Sequence, residues 1–109
     1  MFSSDLPDTE LLKSLLEPLL EDFQYWFERS RHMLETQTIP FLALEQQTDL
    51  LARVLTSQQE VATAQMLFRV TQGQAGIETS VLATWHQLVT ECWHVATRLR
   101  MEQSTEKGI

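Results

Sequence analysis

Across residues 11–34, Leu12, Leu16, Leu19, Phe23, Trp26 and Met33 recur at alternating steps of three and four, and Ser30 fills the one gap. Leu11, Leu15, Leu20, Phe27 and Leu34 flank that line. At about 100° per residue, the apolar set covers about half of a helix circumference, with most charges opposite. An arc of that width exceeds a two-stranded seam and suits a helix touching two neighbours. The helix is expected over residues 7–36. Pro7 suits a first turn, where its missing N–H costs nothing, and Asp8 and Glu10 suit the positive end of the dipole. Pro18 falls inside the pattern. A mid-helix proline removes a hydrogen bond and crowds the preceding turn, at about 3 kcal/mol. The apolar register nevertheless continues across it. The pattern predicts a single helix kinked near Pro18, or a short helix handing over to a second with Pro18 in its first turn.

A second helix is expected over residues 44–70, with a stripe of Leu44, Leu51, Val54, Leu55, Val61, Ala62 and Phe68 interrupted by Gln58 and Gln65. Gly73 and Gly76 mark the break after it. A third helix is expected over residues 79–102. Leu82, Trp85, Val89, Cys92, Ala96 and Leu99 form its stripe, with Val81, Leu88 and Val95 beside them. Arg98 and Arg100 suit the negative end of its dipole. Residues 103–109 read as a frayed polar tail.

Short connections make sequence neighbours antiparallel neighbours. The predicted fold is therefore all-α: one domain over residues 1–109, an up-down-up antiparallel three-helix bundle. Phe23, Trp26, Trp85 and Trp93 should supply much of its burial, at about 1.5–3 kcal/mol for each large side chain. The clusters Phe2/Leu6 and Ile39/Phe41/Leu42 should plug opposite ends.

Composition narrows the function classes. The chain has 109 residues, 43% of them apolar, which suits one globular domain with a modest core. Cys92 is the single cysteine, so no internal disulfide forms and a reducing compartment is the simpler expectation. The first residues carry no basic start or apolar signal core, and no window reaches the ~18 apolar residues of a membrane span. A soluble protein is expected. Net charge is −7. Asp5, Asp8, Glu10, Glu17, Glu21, Asp22 and Glu28, opposed only by Lys13, give the first 28 residues −6. Nucleic-acid binding needs a basic footprint, which this chain lacks, and attraction to anionic lipid heads is disfavoured. A basic protein partner stays open, beside the simpler reading that acids near a helix start favour its dipole and keep the domain soluble.

Chemistry-bearing motifs are sparse. Glu91 and His94 have the Glu-x-x-His spacing of di-iron bundles, but such sites need two copies and two further glutamates. On the helix both point away from the apolar face, so a solvated face is the expectation and no metal is expected. Cys92 lies on the core stripe as a buried thiol, a filler with a raised pKa, and His86 does not share its face. His32 sits on the polar side of the first helix. The Gly73-Gln74-Ala75-Gly76 run lacks the strand and basic residue of a phosphate loop. No enzymatic activity and no cofactor are expected.

Two surfaces suggest binding. Pro18, Tyr25 and His32 form an outward line seven residues apart, with Arg29 beside it, and Tyr and Arg are enriched at interfaces. An ordinary amphipathic flank is the plainer alternative. At the end of the second helix, Met66, Leu67 and Val70 point to several sides of the helix. Either the bundle end wraps this turn, or Leu67 and Val70 stay exposed as a partner site.

Residues 17–31, 49–54 and 85–93 resemble a small family of cyanobacterial proteins carried as domain of unknown function 2605, and the likeness spans most of the chain. The resemblance brings no activity, ligand or catalytic residue. It implies a cyanobacterial cell, the cytoplasm or the cytoplasmic side of thylakoids, and an accessory role beside photosynthetic machinery. The expected function is a non-enzymatic interaction module, a small adaptor or assembly factor with a protein partner. Peripheral membrane association stays open. Two alternatives stand beside it. One is a cofactor-, metal- or pigment-binding bundle around Trp85, His86, Cys92 and Trp93. The other is a self-associating helical protein, a homo-oligomer paired through the end of the second helix.

Overall fold

The computed structural model describes residues 5–108 apart from 75, with side chains described from residue 11 to 105 apart from Leu12 and residue 75. The proposed Phe2/Leu6 plug, the first-turn roles of Pro7, Asp8 and Glu10, and Leu12 in the first stripe lie outside the described side chains. Among the described residues there are three helices and no strand: α1 (Asp5–Thr36), α2 (Leu44–Val70) and α3 (Thr79–Gly108). α1 is a single helix that contains Pro18. None of the three is long and apolar enough to cross a membrane.

Cross-helix contacts fix the directions. Gln24 and Glu28 on α1 meet Gln65 and Gln58 on α2, and Gln47, early in α2, reaches the end of α1. α2 therefore runs antiparallel to α1. Arg53 meets Glu91, and Glu60 meets Trp85, so α3 reverses again. The result is the up-down-up bundle that the apolar periodicity predicts. Its packing is uneven: α1 and α2 are intimately joined, α3 touches α1 less, and α2 and α3 barely meet. The molecule is accordingly long and thin, 65 × 25 × 19 Å.

The core holds Leu20, Phe23, Phe27 and Leu34 of α1, Leu50, Val54, Val61 and Phe68 of α2, and Trp85, Leu88, Cys92 and Leu99 of α3. Phe23 sits at its centre, 6.0 Å from Phe27 and edge-on to Trp85 at 5.4 Å. Ile39 is buried in the first connection, with Phe41 and Leu42 packed against the core, which makes the expected plug at that end. Arg98 lies 4.1 Å from the Phe41 ring centroid and closes the plug from outside.

Three expectations need correcting. The buried line of α1 runs through Leu20, Phe23 and Phe27, while Leu19 and Trp26 are exposed. With α3 set against only part of α1, one edge of the wide apolar arc has no neighbour. In α2, Leu44 and Leu55 are exposed and Ala62 faces solvent, whereas Leu50, Val54, Ser57, Val61 and Phe68 face inward. The half-buried Gln58 and Gln65 do not break this face. Gln24 donates to the Gln58 carbonyl and lies 3.4 Å from Gln65 Oε1, giving the α1–α2 seam a polar edge. Finally, α3 does not fray at 102 but continues to Gly108. Thr105 donates to the Met101 carbonyl, and Gln103 reaches Gln37 just past the end of α1.

Both connections are tied down. Gln47 Nε2 donates to the carbonyls of Leu34 and Gln37, so α2 satisfies acceptors left over at the end of α1. After α2, Gly73 takes φ +84° and its N–H donates to the Phe68 carbonyl, the helix-ending geometry in which glycine carries no Cβ penalty.

Candidate functional site

The uneven packing leaves a groove of about 810 Å³ between α1 and α3. Its floor is apolar: Met33, Cys92 and Leu99 are buried, and Val89 and Ala96 half-buried. Its walls are aromatic. Trp26 on α1 is 40% exposed and Trp93 on α3 is 52% exposed. Tyr25 stands edge-on to Trp26 at 5.2 Å, and Trp93 leans on His94 at 5.6 Å. Arg29 and Arg100 give the groove a cationic edge, with His32 and Glu28 also lining it.

Local helix chemistry sets this arrangement. Arg29 lies one turn beyond Tyr25, so its Nη1 donates to the Tyr25 hydroxyl at 2.9 Å. Its guanidinium lies 5.6 Å from the Tyr25 ring centroid and 5.8 Å from that of Trp26. Such cation–π contacts hold the two rings and the cation as one unit. Glu28 is turned elsewhere: Gln58 and Arg31 hydrogen-bond it and hold its carboxyl below the usual range. Ser30 donates to the Trp26 carbonyl and also faces Cys92. Burial pushes the Cys92 thiol up, while its contact with Ser30 pulls the other way. The thiol is thus held neutral, a filler in the groove floor rather than a nucleophile.

Three of the residues marked on α1, Tyr25, Arg29 and His32, come together in this groove. Pro18 is exposed but does not line it. Met66, Leu67 and Val70 are exposed at 55%, 49% and 73%, at the far end of α2, and form a separate patch. Trp26 lay on the predicted apolar line and both Trp26 and Trp93 were expected to supply burial, and here the structure differs. Trp93 follows Cys92 by one residue, which turns it about 100° off the buried line. That offset was the available signal. Arg100, read only as a dipole partner, also lines the groove.

The residues considered for a cofactor or pigment disperse. Trp85 is buried and donates its indole N–H to Glu60 at 2.9 Å, His86 is exposed outside the groove, and only Cys92 and Trp93 line it. Glu91 is held by Arg53 of α2 through two bonds of 2.9 and 2.7 Å, an arrangement separate from His94. No group of three or more potential metal ligands occurs among the described residues.

Fold and groove together define a slender three-helix protein with one aromatic, cation-edged flank. The chain belongs to the family described as protein of unknown function (DUF2605), whose model matches residues 6–101. No curated protein and no solved structure matches it.

Proposed function

We propose that this protein is a non-enzymatic interaction module, a small adaptor or assembly factor, and that it docks a protein partner in the α1–α3 groove. The observation carrying this reading is the pair of exposed tryptophans, Trp26 and Trp93, on the walls of one apolar groove. Tryptophan, tyrosine and arginine are the side chains that dominate binding energy at protein interfaces, and here they are gathered on a rigid helical face. Leaving the two indoles half exposed forgoes roughly half of the ~1.5–3 kcal/mol that full burial of a large side chain contributes, which a partner would supply.

The test is affinity capture of the tagged chain from its native cells, with Trp26→Ala/Trp93→Ala as the comparison. A stoichiometric partner lost from the variant, at an unchanged melting temperature, is the expected result. Equal capture by both chains would remove the groove from the interface. The cyanobacterial setting, in the cytoplasm or at the cytoplasmic face of thylakoids beside photosynthetic machinery, belongs to the same proposal and is supported by the family resemblance alone. Cell fractionation with an antibody to the chain checks it.

A second reading, a ligand- or pigment-binding bundle, draws support from the groove's volume, which falls among those of small-molecule sites. A colourless, metal-free sample purified from native cells would end its pigment and metal forms.

A further inference from the structure

The α1 face that carries Trp26 continues beyond the groove. Leu11, Leu15 and Leu19 are 56%, 58% and 37% exposed. By the helix period they fall within about 80° of Trp26 and Met33, so one face runs for about 33 Å from Leu11 to Met33. Its two halves differ. The first half is aliphatic and belongs to the acidic segment, with Asp22 in no ion pair among the described residues. The second half is aromatic and cationic. Arg29 meets only Tyr25 and Trp26, and Arg100 meets only Thr97, so neither has a carboxylate partner among the described residues. Along the border of this face Leu11, Leu15, Pro18, Asp22, Tyr25, Arg29 and His32 alternate by four and three, the spacing of a two-helix seam that Leu19 and Trp26 flank.

We propose that the occupant of the groove is the first half of α1 from a second copy of this chain, the two α1 helices lying antiparallel about a two-fold axis close to Asp22–Tyr25. This rests on the reading of the groove as a docking surface and names its partner. Antiparallel pairing lays each leucine-rich, acidic half against the other copy's aromatic, cationic half. Asp22 then falls within about a turn of the partner's Arg29, and Leu19 lies over the partner's Trp26. Parallel pairing would set acid on acid and cation on cation. A foreign acidic helix would cover the groove but leave Leu11, Leu15 and Leu19 bare, whereas a second copy covers both halves at once, as an isologous interface does.

Sedimentation of the full chain across a wide concentration range tests this. The expected result is a reversible shift from 12.6 kDa toward twice that mass, weakened by salt. Asp22→Arg alone and Arg29→Asp alone should each weaken association about tenfold, because each puts like charges at both symmetry-related contacts. Mixing the two variants should restore a heterodimer, since every contact then pairs opposite charges. Both residues are exposed, and thermal melts by circular dichroism show whether the variants keep their helices. Wild-type chain that stays monomeric throughout overturns the proposal, as does a dimer that neither substitution weakens. A monomer whose captured partner still depends on Trp26 and Trp93 overturns the second copy while leaving the docking surface standing.

Discussion

Trp85 shows how a single residue joins packing to polarity in this protein. Its ring is almost wholly buried and meets Phe23 edge-on, while its indole N–H finds Glu60 across the sparse α2–α3 contact. A buried donor without its acceptor costs about 1–3 kcal/mol. Glu60→Ala should therefore lower unfolding stability by about 1 kcal/mol in urea titration, and Glu60→Gln, which keeps an acceptor oxygen, should recover most of it. The indole position was legible from the Trp85–Cys92–Leu99 spacing. Its partner was not, because Glu60 lies twenty-five residues away on a helix face that reads as plain solvent surface.

At the scale of elements, the bounds of α2 and the start of α3 were readable from the apolar period and the glycines between them. Those two glycines differ. Gly73 has φ +84°, and a Cβ there would lie 3.0 Å from Lys13 Cγ and Cδ. Gly76 has open space around it and no such φ. Gly73→Ala should cost about 1–2 kcal/mol, while Gly76→Ala should be neutral or stabilising by a few tenths, as compared by thermal melts. The α2–α3 pair depends on Arg53, which grips Glu91 at two atoms and Asp49 at a third. Its hydrogen bonds hold the Glu91 carboxyl below the usual range. A carboxyl with a lowered folded-state pKa adds stability above its unfolded pKa and loses it as pH falls through the folded one. Glu91→Gln should therefore destabilise at neutral pH and make little difference in strong acid. The effect should stay within about 1 kcal/mol, because both side chains are half exposed. Urea titrations at the two pH values check it.

The whole molecule is governed by how incompletely α3 covers α1. Two of the chain's three tryptophans stand in the resulting groove, and the third is sealed in the core. Acrylamide should quench most of the fluorescence, and Trp26→Phe/Trp93→Phe should leave a weaker, blue-shifted and poorly quenched emission from Trp85. The amino-acid sequence by itself determined the helical class, the reversal of direction at each short connection and the buried line of α3 through Trp85, Cys92 and Leu99. These follow from a 3.6-residue period and connections too short to permit another path. It also marked Tyr25, Arg29 and His32 as a surface. Periodicity measures how wide an apolar arc is, and it does not record how much of that arc a neighbour covers. Only the tertiary structure decided that, by joining α1 closely to α2 and more sparsely to α3, with Leu19, Trp26 and Trp93 left exposed. Trp26, which the local pattern places in the interior, became through that uneven packing one wall of the groove.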